Sequence, residues 1–192
     1  MNKKVYRWVN MITFYRLAAA PFLVLLLIGR QFAAFKWLLA LSFFTDAIDG
    51  WLARKFKVNS LLGARMDSVA DDLTILVAII GIVLYQPVFL RSEWLLIGVM
   101  ILLYATQNGI ALIRYRKLTS FHTYAAKLAA VLQGGFLMLF FFLPKPVLPL
   151  FYLTAGATII DLVEEILLAL VLPQWEANVK GLYWVFKRRR PV

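Results

Sequence analysis

Long apolar runs, separated by short polar or helix-breaking segments, dominate the chain between residues 10 and 171. Six such runs stand out, at 10–29, 35–55, 63–85, 93–114, 122–143 and 147–171. Each run is close to the ~20 residues that a helix needs to cross ~30 Å of hydrocarbon. The pattern therefore predicts an all-α integral membrane protein with six transmembrane helices.

The two ends of the chain have a different pattern. Residues 1–9 mix basic with apolar and aromatic side chains, which is typical of a short helix lying in the membrane interface. Residues 172–192 are strongly basic and amphipathic, so we expect this tail to run along an anionic membrane surface. We expect one membrane domain over 1–192, with an interfacial helix at its start and a basic tail at its end.

The composition supports a membrane protein and excludes several kinds of site. The hydrophobic fraction is 62%, the charged fraction is 16% and the mean hydropathy is +0.78, which together lie outside the range of soluble domains. The chain has no cysteine, so disulfides and thiolate metal sites are excluded. The net charge of +11, in so apolar a chain, favours membrane lipid and phosphorylated substrates over nucleic acid as partners.

The distribution of Lys and Arg predicts the orientation of the helices. If both termini are cytoplasmic, most basic residues face the cytoplasm, and the opposite side carries only Arg30, Lys36, Arg91 and Lys145. The positive-inside rule favours this arrangement. We expect the protein to lie in the inner or plasma membrane with its N- and C-termini in the cytoplasm. Our interpretation is that the cell is bacterial.

Four carboxylates flank the cytoplasmic loop predicted between the second and third runs. Asp46 and Asp49 are spaced i, i+3, and Asp67 and Asp71 are spaced i, i+4, so each pair lies on one helix face. An ionised carboxylate at the bilayer centre costs roughly 2.5–3.5 kcal/mol, and four together would repel each other. Two opposed faces would form a cage of hard oxygen ligands for two Mg²⁺ or Mn²⁺ ions.

The residues between the two pairs suit a phosphate ligand. Gly50 removes a side chain beside Asp49, where a substrate can press against the helix. Arg54 lies one turn further on, and its planar fork suits phosphate oxygens. The structural alternative is a salt network in which Arg54 and Arg65 pair with the aspartates at the helix ends.

The stretch 46–71 resembles a known family motif, D-x-x-D-G-x-x-A-R-x8-G-x-x-x-D-x-x-x-D. All its fixed positions match, namely Asp46, Asp49, Gly50, Ala53, Arg54, Gly63, Asp67 and Asp71. In the first run, Asn10, Thr13 and Arg16 resemble the family's N-x-x-T-x-x-R element, although Val9 stands where a proline is usual. On these residues the chain resembles the CDP-alcohol phosphatidyltransferases.

The resemblance implies an enzyme of phospholipid biosynthesis that uses CDP-diacylglycerol and a small alcohol, and whose active site faces the cytoplasm. It implies that Asp46, Asp49, Asp67 and Asp71 hold two metal ions, and that Asp71 is also the general base. The residues implied to bind CDP are Asn10, Thr13, Asp49, Gly50, Ala53, Arg54 and Gly63. Family members commonly pair, so a homodimer is also implied.

Basic residues near the fourth and fifth runs suggest where the acceptor binds. Arg114, Arg116 and Lys127 would suit an acceptor with its own phosphate, such as glycerol 3-phosphate or an inositol phosphate. The positive-inside rule alone would also produce these charges. Asp161, in the last run, is interpreted either as a contact to the acceptor or as a partner of Arg16, Arg114 or Lys127.

Two alternatives remain open from the sequence. Residues 67–72 read D-S-V-A-D-D, whereas members that make phosphatidylglycerophosphate often read D-P-x-A-D-K, so a phosphatidylserine-type synthase is an alternative. A divalent-cation transporter is a non-enzyme alternative, although residues 73–85 offer only Thr74 and Tyr85 as polar side chains along a path.

Overall fold

The part of the chain that the structure describes is mainly helical and contains no strand. The computed structural model describes residues 3–56, 61–117, 119, 121, 123–176 and 179–189, with their side chains except at 3–10, 47, 49–54, 61–65, 67, 68, 72 and 189. The chain folds into two compact units, Met1–Val88 and Phe89–Val192.

Three long helices form the first unit: α1 (Lys3–Ile28), α2 (Phe32–Phe56) and α3 (Leu61–Tyr85). Helix α1 packs against both α2 and α3, whereas α2 and α3 contact each other much less. Ala19, Ala20, Ala70 and Ala78 are nearly inaccessible in the core of this unit. Such small side chains let helix backbones approach closely, so α1 is the element on which the two aspartate-bearing helices are arranged.

A short helix, α4 (Pro87–Ser92), precedes the helices of the second unit, which are α5 (Trp94–Tyr115), α6 (Tyr124–Phe142), α7 (Leu148–Val171) and α8 (Leu182–Arg189). Helix α7 packs against α5 and α6 and also contacts α8. Thr123 caps the N-terminus of α6, because its side-chain oxygen accepts a hydrogen bond from the Ala126 N–H at 3.0 Å. Such a cap satisfies a backbone donor that the first turn leaves unpaired.

Two clusters stabilise the second unit at the two ends of α7. Near its start, the rings of Phe89, Phe136, Phe140 and Phe151 lie with centroids 5.0–6.2 Å apart. Near its end, a buried apolar cluster comprises Phe121, Leu168, Ala169, Leu172, Val179 and Val185. The second cluster includes Val185 of α8, so burial of apolar surface holds this C-terminal helix against α7.

The helices agree with the predicted apolar runs, with differences at three places. The segment predicted as a separate interfacial helix is continuous with α1, because no Gly or Pro interrupts residues 3–20. The break predicted between the runs 63–85 and 93–114, around Pro87, is not a loop but contains α4, since proline is favoured at the first position of a helix. Among the described residues of the basic tail, only Leu182–Arg189 is helical.

Three helical segments, among the described residues, are long and apolar enough to cross a membrane: Met11–Ile28, Trp94–Tyr115 and Tyr124–Phe142. Helices α2, α3 and α7 are similar in length but carry most of the acidic residues, so six spans and the direction of the termini stay predictions. Ile28, Ile113 and Val131 are 72%, 86% and 73% exposed on the apolar helices. Such surfaces suit contact with lipid and identify a membrane protein.

Candidate active site

Three side chains from three helices meet in the first unit. Arg16 of α1 donates from Nη1 to Asp46 Oδ1 of α2 at 2.7 Å, and from Nη2 to Asp71 Oδ1 of α3. The Arg16 side chain is 1% exposed, whereas those of Asp46 and Asp71 are each 40% exposed. The two carboxylates therefore lie at an accessible surface above a buried cation.

The sequence of α1 explains why a guanidinium fits inside this unit. The buried residues among the described side chains of α1 share one helix face and are Thr13, Arg16, Ala19, Ala20, Leu23 and Leu27. Ala19 and Ala20 leave room beside the long Arg16 side chain, and α2 and α3 pack on this face. The spacing i, i+3, i+4, i+7 is that of a single buried stripe, so Arg16 points into the helix contact and not towards lipid.

The remaining aspartates of the motif lie on the same helices. Asp49 is one turn after Asp46 in α2, and Asp67 is one turn before Asp71 in α3. The side chains of Asp49 and Asp67 lie outside the described part. The structure thus brings together one member of each predicted pair, and no group of three or more acidic or histidine ligands occurs among the side chains it describes.

The predicted CDP-binding residues fall on the helices of this unit. Thr13 is buried on α1, and Asn10 belongs to the same helix. The other motif residues are Gly50, Ala53 and Arg54 in α2 and Gly63 in α3. The side chains of these residues and of Asn10 are not described, so their contacts stay predictions.

The donor chemistry of the described aspartates fits a divalent cation. Carboxylate oxygens are the ligands that Mg²⁺ and Mn²⁺ prefer. Asp46 and Asp71 come from different helices and already share one cationic partner, Arg16. Their convergence places negative charge from α2 and α3 at one accessible point, as a site for Mg²⁺ or Mn²⁺ requires.

Arg16 is the residue whose role the sequence analysis missed. The sequence places it in the N-x-x-T-x-x-R element and makes it one candidate partner of Asp161, whereas the structure pairs it with Asp46 and Asp71. The available signal was its place near the middle of an apolar run, since an ionised residue there needs an opposite charge. The described ion pairs of Arg16 therefore lie at the aspartate site.

The predicted acceptor-binding residues belong to the second unit. Arg114, Arg116 and Lys127 are exposed, and within the described residues none forms an ion pair. The guanidinium of Arg114 lies 6.0 Å from the ring of Tyr115, and the Lys127 ammonium lies 5.3 Å from the ring of Tyr124. Arg114 and Lys127 thus lie beside aromatic rings, and, like Arg116, they are accessible to an anionic ligand.

Among the residues that the structure describes, the acids of α7 have polar partners and not basic ones. Thr123 donates to Asp161 at 3.3 Å, and Gln107 donates to Glu165 at 2.7 Å. The backbone N–H of Leu182 donates to Glu164 at 2.8 Å. Pairing of Asp161 with Arg114 or Lys127, which the sequence left open, does not occur among the described residues.

Comparison with known proteins supports the resemblance found in the motif. A family model described as CDP-alcohol phosphatidyltransferase matches residues 8–172. A cardiolipin synthase (CMP-forming)/mitochondrial hydrolase fusion protein of Schizosaccharomyces pombe is 28% identical over 124 residues, which are 65% of this chain and 20% of that protein. No solved structure matches the chain.

Two bacterial relatives carry the same name, CDP-diacylglycerol–glycerol-3-phosphate 3-phosphatidyltransferase. The one from Cereibacter sphaeroides is 31% identical over 99 residues, 50% of this chain and 43% of that protein. The one from Haemophilus influenzae is 32% identical over 96 residues, 48% of this chain and 49% of that protein. The chain thus spans between a fifth and a half of these three relatives' length. Because the family model covers most of its residues, the chain belongs to the CDP-alcohol phosphatidyltransferases, a family of membrane enzymes.

Proposed function

We propose that the protein is a metal-dependent phosphatidyltransferase of phospholipid biosynthesis, which transfers a phosphatidyl group from CDP-diacylglycerol to a small alcohol and releases CMP. The observation that carries the proposal is the convergence of Asp46 and Asp71, from two helices, at one accessible point. Both belong to the eight-residue motif that the family model covers.

In this proposal the chain's own residues bind the nucleotide and move one proton. Two Mg²⁺ or Mn²⁺ ions would be held by Asp46, Asp49, Asp67 and Asp71. When bound, these ions would neutralise negative charge on the diphosphate and on the leaving CMP. Asp71 accepts the proton of the acceptor hydroxyl. The hydroxyl oxygen forms a bond to the phosphorus that carries diacylglycerol, and the bond from that phosphorus to the oxygen of CMP breaks.

The nucleotide is assigned to the remaining motif residues. Arg54 binds a phosphate oxygen through its planar fork. Gly50, Ala53 and Gly63 have little or no side chain, so the nucleotide can approach the backbone closely. Asn10 completes the predicted CDP site, with the buried Thr13 as support one turn away on the same helix.

Glycerol 3-phosphate is the acceptor that we propose first. This choice is supported by the name of the two bacterial relatives, which contains glycerol-3-phosphate. Arg114, Arg116 and Lys127 are the proposed phosphate contacts, because they are exposed cations without an ion-pair partner among the described residues. Asp161 is the proposed contact to a hydroxyl group of the acceptor.

Phosphatidylglycerol is the second candidate acceptor. Transfer of a phosphatidyl group to it gives cardiolipin, the product named for the Schizosaccharomyces pombe relative. The departure from D-P-x-A-D-K at residues 67–72 favours an acceptor other than glycerol 3-phosphate. Serine and an inositol phosphate are the remaining candidate acceptors. The homodimer that is common in the family is also proposed.

One assay tests the reaction and its acceptor together. The full chain is reconstituted in vesicles that contain CDP-diacylglycerol, and CMP is measured with Mg²⁺, Mn²⁺ or EDTA. The acceptors are glycerol 3-phosphate, phosphatidylglycerol, serine and an inositol phosphate in parallel. We expect CMP release that needs a divalent ion and is fastest with glycerol 3-phosphate. Absence of CMP with all four acceptors contradicts the proposal, and Mn²⁺ uptake without CMP supports a transporter.

A further inference from the structure

We propose that Arg16 is the built-in counter-cation of the aspartate site. It holds Asp46 and Asp71 together while no metal ion is bound, and it opposes metal binding by its charge. The inference rests on the proposed metal-dependent function, but it concerns a residue that lies outside the aspartate motif. It predicts that loss of Arg16 lowers the stability of the metal-free protein and raises its affinity for metal.

The burial of Arg16 is the first step. Its side chain is 1% exposed, so water cannot supply the hydrogen bonds and negative charge that a guanidinium requires. The acceptors come from the protein, and two of them are Asp46 Oδ1 and Asp71 Oδ1. A buried charge that loses its partners is strongly destabilising, so Arg16 and these aspartates depend on one another.

The position of Arg16 is the second step. Its two terminal nitrogens contact different helices, Nη1 reaching α2 and Nη2 reaching α3. Helices α2 and α3 contact each other little, and both pack on α1. Few direct contacts between α2 and α3 offset the electrostatic repulsion between their carboxylates. Arg16 of α1 therefore links the two aspartate-bearing helices at this point.

The charge balance is the third step. The four motif aspartates carry −4 when ionised, and Arg16 reduces this to −3 (−4 + 1). Two divalent ions would add +4, which gives 0 without Arg16 and +1 with it. A fixed positive charge in contact with Asp46 and Asp71 repels any further cation that those carboxylates bind. Arg16 thus stabilises the site before metal arrives and lowers its affinity for metal.

The test compares Arg16→Gln with the unchanged protein, both as the full chain in detergent without substrate. In EDTA we expect the variant to unfold about 5–10 °C lower, since one partner of a buried pair is removed. Saturating Mn²⁺ should remove at least half of this deficit. The dissociation constant for Mn²⁺, measured by electron paramagnetic resonance, should fall about threefold or more.

Two other variants separate charge from shape. Arg16→Lys keeps the positive charge and should retain most of the stability in EDTA. Arg30→Gln removes an exposed arginine of the same unit and should change neither the unfolding temperature nor Mn²⁺ binding. If Arg16→Gln cannot be purified, the double variant Arg16→Gln/Asp46→Asn decides, because removing both charges should restore folding.

The outcomes of these measurements distinguish a structural role of Arg16 from a role in metal binding. An equal deficit with and without Mn²⁺ means that Arg16 has a structural role only, and the inference fails. Weaker Mn²⁺ binding in Arg16→Gln means that Arg16 organises the ligands for metal, which also overturns it, as does failure of the double variant to fold. If the unchanged protein binds no Mn²⁺, the proposed metal site is contradicted. If the unchanged protein releases CMP, but Arg16→Gln has the same unfolding temperature and the same dissociation constant for Mn²⁺ as the unchanged protein, only the inference about Arg16 is contradicted.

Discussion

The proposed base, Asp71, can be tested by a substitution that the structure predicts to be tolerated in folding. Asp71→Asn replaces one carboxylate oxygen by an amide group of nearly the same size. The amide oxygen can still accept the hydrogen bond from Arg16 Nη2, and Asp46 keeps its own contact with Nη1 at 2.7 Å. Arg16 therefore retains both described partners, and the side chain of residue 71, which is 40% exposed, can keep its place.

The expected effect on turnover follows from the loss of proton acceptance. A positioned general base contributes about 10²–10⁴-fold to rate, which corresponds to ~2.7–5.5 kcal/mol of transition-state stabilisation. The same substitution removes one negative charge from the proposed metal cage, so the loss of activity should lie at or beyond the upper end of this range. We expect no measurable CMP release above background.

The assay is CMP release from CDP-diacylglycerol with glycerol 3-phosphate, beside a thermal unfolding curve of the same preparation. Asp72→Asn is the matched control, because it makes the same chemical change one residue away at a position that the motif does not use. We expect it to retain activity within about threefold. If Asp71→Asn folds normally and keeps more than a tenth of the activity, Asp71 is not the base.

Two further predictions concern the second unit. Asp161→Asn should raise the KM for the acceptor and leave the KM for CDP-diacylglycerol unchanged, whereas Glu165→Gln should mainly lower the unfolding temperature; an unchanged acceptor KM in Asp161→Asn contradicts its proposed role. Gly181 has a φ of +145°, and an added Cβ would lie 2.8 Å from Glu164 Oε1, so Gly181→Ala should cost about 1–3 kcal/mol of stability. Gly156→Ala, with open space around the new Cβ, is the control in α7 and should be neutral or stabilising in thermal unfolding.

The helices could be predicted from the sequence because their signal is local. A run of about twenty apolar residues satisfies its backbone within one helix, and breakers such as Pro144 and Pro146 mark where one run ends and the next begins. The spacing of the aspartates likewise placed each pair on one helix face. The error at Pro87 was also local, since a proline starts a helix as readily as it ends one.

The partner of the aspartates could not be predicted in the same way. Arg16 is separated from Asp46 by 30 residues and from Asp71 by 55, and no periodicity relates positions on different helices. Arg54 and Arg65, which are near the aspartates in the chain, are partners in the alternative interpretation of the sequence only, and their side chains lie outside the described part. An arginine in an apolar run indicates only that a negative charge lies nearby. The packing of α1 on α2 and α3 determines which carboxylates supply that charge.

The three acids of α7 show how packing separates residues that spacing groups together. Glu164 accepts from the backbone of Leu182, where α8 begins, so it holds the C-terminal helix. Glu165 accepts from Gln107 at 2.7 Å and from Thr119 at 3.3 Å, so it joins α7 to α5 and to the segment after it. Asp161 has only the 3.3 Å contact from Thr123 among the described donors, although a carboxylate can accept several hydrogen bonds. Glu164 also has a single described donor, but that contact is shorter and is made to α8. We therefore propose Asp161, whose one described contact is long, as the acid of α7 that binds a hydroxyl group of the acceptor.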